Sequence, residues 1–230
     1  MKKQIAAIAS AVILCSGASA QSPAPQSTQP KAYMVADAHL DTQWNWDIQT
    51  TIKHYVWNTI NQNLFLLKQY PDYIFNFEGG VKYAWMKEYY PAQYEEMKKY
   101  IKEGRWHISG ASWDATDALV PSTESAIRNI MLGQDYYRKE FGVESTDIFL
   151  PDCFGFGWTL PTIASHCGLI GFSSQKLDWR HKAFYGDSKH PFTIGLWQGI
   201  DGSSIMLAHG YDYGKRGKTR IYQRTSNSLT

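Results

Sequence analysis

Two residues apart, His39 and Asp41 point an imidazole and a carboxylate to the same side of an extended segment. Together they could reach one cation, and a mix of nitrogen and oxygen donors suits zinc or a similar divalent ion. The plain alternative is that His39 packs and Asp41 caps the following helix. Asp37 lies on the same side, as a partner behind the ligands or as a loop residue. A further carboxylate, Asp152, follows the apolar run Ile148-Phe149-Leu150 and enters the turn Cys153-Phe154-Gly155-Phe156-Gly157. Such a position suits a nucleophile or metal ligand and is costly for a carboxylate without a partner, although an Asp can also cap a helix there. Trp44, Trp46 and Trp113 could stack on a substrate ring, while packing is the ordinary use of any single Trp.

Residues so far apart can act together only if the fold gathers them. The pattern predicts strands over Tyr33–Ala38, Tyr73–Phe77, Trp106–Ser109, Asp147–Leu150 and Leu169–Ser173. Between them, helical periodicity covers Thr50–Tyr70, Val81–Lys102 with a break at Pro91, Thr123–Phe141 and Thr159–Cys167. Ser122 and Gly142 bracket the third of these helices as caps, and Pro161 falls in the first turn of the last. Strands alternating with helices imply right-handed crossovers and a parallel α/β sheet, either open and doubly wound or a (β/α) barrel. In both architectures function sits at the carboxyl ends of the strands. The residues just past those ends are His39 and Asp41, Glu78, Trp113 with Asp114 and Asp117, Asp152, and Gln175 with Lys176. This concentration of carboxylates, a His and a Trp predicts one site.

Four ordered segments carry a resemblance: His39-Leu40-Asp41-Thr42-Gln43-Trp44, the run Leu150–Gly157, Ser174-Gln175-Lys176-Leu177-Asp178-Trp179, and Trp197-Gln198-Gly199-Ile200-Asp201-Gly202-Ser203. Together, over about Tyr33–Tyr211, they resemble the N-terminal part of glycoside hydrolase family 38, the α-mannosidases. The resemblance implies a partial (β/α) barrel with zinc and retaining hydrolysis of α-mannosides. By position, His39, Asp41 and Asp152 resemble zinc ligands and Asp152 also the nucleophile. Trp44 resembles the aromatic beneath the sugar, and Lys176 falls where a basic residue lies near the nucleophile. Trp113, Asp114 and Asp117 complete the substrate-binding candidates. A retaining glycosidase needs one carboxylate to form a glycosyl-enzyme and another to protonate the leaving oxygen. Zinc would clamp the vicinal hydroxyls of mannose rather than activate water. The resemblance places a fourth ligand and the acid/base residue beyond Thr230, and His209 reads as a rim residue. The expectation is therefore a truncated catalytic domain, inactive by itself, whose surviving role could be carbohydrate binding. A zinc polysaccharide deacetylase would need paired His at helical spacing, and no HxxxH occurs.

The flanks and composition set the context. Met1-Lys2-Lys3, the apolar run Ile5–Leu14 and Ala18-Ser19-Ala20 read as an export signal over residues 1–20, implying a periplasmic or secreted protein. Residues 21–30 form a Pro/Ser/Gln linker, and 31–230 carry the catalytic portion. With a formal charge of +2, the chain has no electrostatic footprint for nucleic acid, and no stretch is apolar enough to span a bilayer. Nine Trp and 15 Tyr exceed what such a core needs, a composition suited to sugar faces. Cys153 and Cys167 could pair in an oxidising compartment, but two cysteines make no disulfide framework.

Overall fold

The structure, a computed structural model, describes residues 36–177 and 194–209. The export segment, the linker, the start of the first strand, Asp178-Trp179 and the polar tail lie outside the described residues. Strands β1 (Ala36–Ala38), β2 (Phe75–Phe77) and β3 (Trp106–Ile108) form a parallel ladder in that order. Ala36 pairs with Phe75 and Phe75 with Trp106, so Phe75, Phe77, Trp106 and Ile108 share one face. That face is buried against Ile60, Leu64 and Leu67 of α2 (Trp57–Gln69), Tyr83 and Met86 of α3 (Gly80–Tyr89), and Tyr94, Met97 and Ile101 of α4 (Pro91–Lys102). Pro91 ends one helix and opens the next, because its ring disfavours a helical Tyr90 and suits the first helical position.

The second ladder contains β4 (Asp147–Phe149), β5 (Gly171–Ser174), β6 (Ile194–Gln198) and β7 (Ser204–His209), in the order β4-β5-β7-β6. The two pairings β4–β5 and β5–β7 are parallel, whereas β6 runs antiparallel to β7 as an edge hairpin. Ile148, Phe172, Ile205 and Leu207 form its buried face with Ile130 of α5 (Thr123–Phe141) and Leu160, Ile163 and Ala164 of α6 (Leu160–His166). The chain leaving β3 runs beside β4: Ala111 N–H donates to the Asp147 carbonyl at 2.8 Å and Gly110 N–H to its carboxylate at 3.1 Å. Parallel strands alternating with helices thus describe the fold. Among the described residues the two ladders do not close into a ring.

Three local features depart from the sequence reading. The first long helix is a short α1 (Ile48–Thr50), a π-helical stretch over Thr51–Val56, and then α2. The segment Trp197–Ser203 is the end of β6 and the hairpin turn into β7: the Asp201 carboxylate accepts from Thr162 Oγ1 of α6 at 2.8 Å and from Ser203 Oγ at 2.6 Å, and lies 2.8 Å from His166 Nε2. Those contacts, Ser203 first, hold the Asp201 carboxyl well below the usual range. Cys153 and Cys167 are free thiols, Cys153 buried with Sγ 3.0 Å from the Thr116 carbonyl, so no disulfide joins them. Among the described residues no helix is long and apolar enough to cross a membrane.

Gly133, in the middle of α5, decides how close that helix comes to the chain after β3. A Cβ there would collide with the Ala111 carbonyl oxygen and lie 2.5 Å from the Ser112 carbonyl carbon. Gly133→Ala should lower the free energy of unfolding by about 1–2 kcal/mol, overpacking outweighing the ~1 kcal/mol that Ala gains as a helix former. Urea unfolding checks this, and a more stable variant would contradict so close an approach.

Candidate metal centre

β1 to β3 run parallel to one another, as do β4, β5 and β7, and the described residues that follow β1, β2, β3, β4 and β5 come together. One donor atom from each of His39, Asp41 and Asp152 lies within 4.8 Å of the others, a span one cation can bridge. His39 Nε2 is 3.3 Å from Asp41 Oδ1, and Nδ1 is 3.3 Å from Glu78 Oε1. Both ring nitrogens are buried, and neither contact has the geometry of a formed hydrogen bond. An imidazole left in this way beside carboxylates from two separate loops fits a divalent ion, and the donors are those zinc accepts.

Local structure explains how the loops are held. The loop after β1 closes on the π-helical turn: Thr51, fully buried, donates its hydroxyl to the Thr42 carbonyl at 2.8 Å and accepts from Trp46 Nε1 at 2.8 Å. Single π turns recur at functional sites. Thr42 Oγ1 lies 2.7 and 2.6 Å from the two oxygens of Asp114, which follows β3. The loop after β3 is fixed by its neighbours. Gly80 and Val81, the first residues of α3, donate to the carbonyls of Ser112 and Trp113 at 3.2 and 2.9 Å, which satisfies N–H groups a helix start leaves open. Asn129 of α5 accepts from Asp114 N–H and donates to its carbonyl, at 3.0 and 2.8 Å. The loop after β4 joins through the Cys153 thiol on Thr116 and a bridge between Ala118 and Phe156. Burial first, and then the surrounding carboxylates, push the Cys153 thiol up to about 12, so it remains a protonated donor.

Beneath the imidazole lies a buried ion pair. Lys82 Nζ is 3.0 Å from Glu78 Oε1 and 3.4 Å from Asp114 Oδ1, with Lys82 0% and Glu78 2% exposed. Burial, the largest single influence, opposes both charges; Lys82 with His39 around Glu78, and Glu78 with Asp114 around Lys82, together outweigh it, so Glu78 is held below and Lys82 above its ordinary range. For His39, burial lowers the imidazole's affinity for a proton, but Glu78 and Asp41 together leave it raised. The Gly79-Gly80 pair makes room for this arrangement. Gly79 has φ +90°, and a Cβ there would sit 2.7 Å from Lys82 Nζ; one on Gly80 would sit 2.8 Å from the Trp113 ring.

The other candidates are placed as follows. Lys176 Nζ is 2.6 Å from Asp152 Oδ1 and 4.9 Å from the centroid of the Phe154 ring. Trp44 is 69% exposed at the rim, edge-on to Trp46 at 5.7 Å. The Trp113 ring packs against Gly80 and edge-on to Tyr136 at 5.5 Å, between α3 and α5. Asp117 Oδ1 accepts from Leu119 and Val120 N–H at 2.7 and 3.1 Å, shaping its own turn, and Asp114 is drawn into the pair beneath His39. The sequence reading passed over Lys82, Thr42 and Asn129. For Lys82 a signal existed: a Glu directly after a strand, two glycines, and a Lys four residues on in the opening helical turn.

Residues 29–228 match the family described as Glycosyl hydrolases family 38 N-terminal domain, and the chain belongs to that family. It is 34% identical over 179 residues to Alpha-mannosidase G of Dictyostelium discoideum, covering 78% of this chain and 16% of that protein. Against Alpha-mannosidase 2C1 of Homo sapiens it is 29% identical over 202 residues, covering 86% of this chain and 19% of that one. The chain thus spans less than a fifth of the length of these relatives. Its fold is similar to the crystal structure of an alpha-mannosidase from Enterococcus faecalis V583, with a TM-score of 0.63 at 19% identity, over 76% of this chain and 19% of that one.

Removing the buried cation should be severe. Lys82→Met leaves Glu78 charged without its main partner, and breaking such a pair costs about 3–5 kcal/mol. Chemical denaturation of the variant measures that loss; a change under about 1 kcal/mol would place water or another cation beside Glu78.

Proposed function

We propose that this chain forms the sugar-binding and nucleophile-bearing part of a zinc-dependent, retaining α-mannosidase. The observation that carries the proposal is the meeting of His39, Asp41 and Asp152 at the carboxyl edge of the strands, in a member of this family. The relatives are named as alpha-mannosidases, which supports a glycan ending in α-linked mannose as the substrate. The segment over residues 1–20 supports action in the periplasm or outside the cell.

Zinc held by His39, Asp41 and Asp152 would supply a Lewis-acid site that takes the vicinal hydroxyls of the sugar. Asp152 attacks the anomeric carbon: its oxygen forms the ester bond of a glycosyl-enzyme as the glycosidic C–O bond breaks. The leaving oxygen takes a proton from a general acid, a role no residue of this chain is assigned. Water then attacks the same carbon and gives its proton to the conjugate base of that general acid, which restores the acid as the ester bond breaks and Asp152 returns as the carboxylate. Lys176, 2.6 Å from Asp152, orients the nucleophile and balances its charge. The open face of Trp44 offers a platform for the sugar, and Asp114 and Asp117 lie on the loop that would meet its hydroxyls.

In a protein carrying the whole catalytic domain, Asp152→Asn should reduce hydrolysis of an aryl α-mannoside to background. A 2-fluoro mannosyl inactivator should label the peptide containing Leu150 to Phe154. Label on a different carboxylate would reject Asp152 as the nucleophile. Chelation should remove the activity and added zinc restore it; turnover that survives a chelator would remove zinc from the proposal.

A further inference from the structure

We propose that the buried Glu78–Lys82 pair is a positioning device for His39: Glu78 accepts the hydrogen on Nδ1 and so turns Nε2 toward Asp41 and Asp152. The inference rests on the metal reading above and adds to it two residues outside the group His39, Asp41 and Asp152.

The geometry of three contacts supports it. Glu78 Oε1 lies 3.3 Å from Nδ1 of the imidazole and Asp41 Oδ1 3.3 Å from Nε2, so each ring nitrogen is nearest a different carboxylate. Lys82 Nζ is 3.0 Å from the same Glu78 oxygen and anchors it. Through Asp114 at 3.4 Å, and from Asp114 to Thr42 Oγ1 at 2.7 Å, Lys82 also reaches the loop that carries Asp41. One ammonium therefore joins the loops after β1, β2 and β3. The backbone is shaped around it: Gly79 adopts a left-handed conformation, and any side chain there would occupy the space of Nζ.

Energetics argue against a purely stabilising role. A buried ion pair is often no better for stability than apolar residues of the same volume, because both charges lose their hydration. A histidine that ligates a metal, by contrast, commonly donates its second N–H to a carboxylate, which fixes tautomer and ring orientation. Glu78 stands where that carboxylate belongs, and Lys82 holds it charged in a place water does not reach.

The test measures zinc affinity by titration calorimetry on the chain, with thermal unfolding of the metal-free proteins in parallel. Three variants are compared with the wild type: Glu78→Gln, the double variant Glu78→Gln/Lys82→Met, and His39→Ala. Glu78→Gln keeps the shape and removes the charge. The double variant removes both charges of the pair, so neither is left buried without the other. Loss of such a partner typically costs 10–100-fold in metal affinity. The inference expects that loss in Glu78→Gln and in the double variant, with the double variant melting metal-free at or above the wild type. A merely structural pair would lower the melting temperature and leave the affinity of the folded variants unchanged. Affinity within twofold of wild type in either variant, with His39→Ala abolishing binding, overturns this inference and leaves the metal reading standing. A wild-type chain that does not bind zinc, or His39→Ala that binds as well as wild type, overturns the metal reading and this inference with it.

Discussion

Asp41, Glu78 and Asp114 follow the strands of one parallel ladder and Asp152 a strand of the next, and carboxylates so gathered repel one another unless positive charge lies among them. The chain supplies it at two depths. Lys82 sits below, out of contact with water, between Glu78 and Asp114; Lys176 sits beside Asp152. Between them remains the space bounded by His39, Asp41 and Asp152, where one imidazole and two carboxylates face each other. A divalent cation there would complete the balance, and this charge requirement links the buried pair, the donor cluster and the proposed chemistry.

The rest of the fold keeps that cluster in place. Two apolar cores lie behind it, one under β1 to β3 with α2 to α4, the other under β4, β5 and β7 with α6. Residues of the ordered sequence segments take part in the second: Phe156 meets Phe172 at 4.9 Å and Phe172 meets Trp197 at 5.1 Å. Helix α5 spans both, its Gly133 allowing backbone contact with the chain after β3 and its Asn129 gripping Asp114 from both sides. Each loop of the site is bonded to the next, so the donors do not depend on any one exposed segment. Such cross-linking is what holds a preorganised ligand set within tenths of an ångström.

Much of this could be read from the chain alone, for definite reasons. Alternation of apolar runs with helical periodicity announced parallel strands, and the parallel arrangement then required His39, Asp41, Glu78, Asp114, Asp152 and Lys176 to end on one side. Ser122 and Gly142 set the limits of α5 because capping chemistry is local. What escaped was whatever depends on contacts distant in sequence. Lys82 looks like an ordinary helical lysine until the loop after β3 brings Asp114 to it. The half-buried Trp113 packs against Tyr136 and Gly80, contacts that its place in the sequence does not show. The hairpin of β6 and β7 was hidden because Gly199–Ser203 read as a motif, while its Asp201 anchors the turn to α6. The π-helical turn has no clear signature in Thr51–Val56; its anchor, the Thr51 hydroxyl on the Thr42 carbonyl, exists only after the loop has folded back.

The most direct test is crystallographic: an anomalous difference map recorded at the zinc absorption edge from crystals grown with zinc. A single cation joining the β1 and β4 loops requires one strong peak at bonding distance, about 2.0–2.2 Å, from a nitrogen of His39 and an oxygen each of Asp41 and Asp152. A peak bound elsewhere, or none at these three residues at full zinc loading, would contradict it.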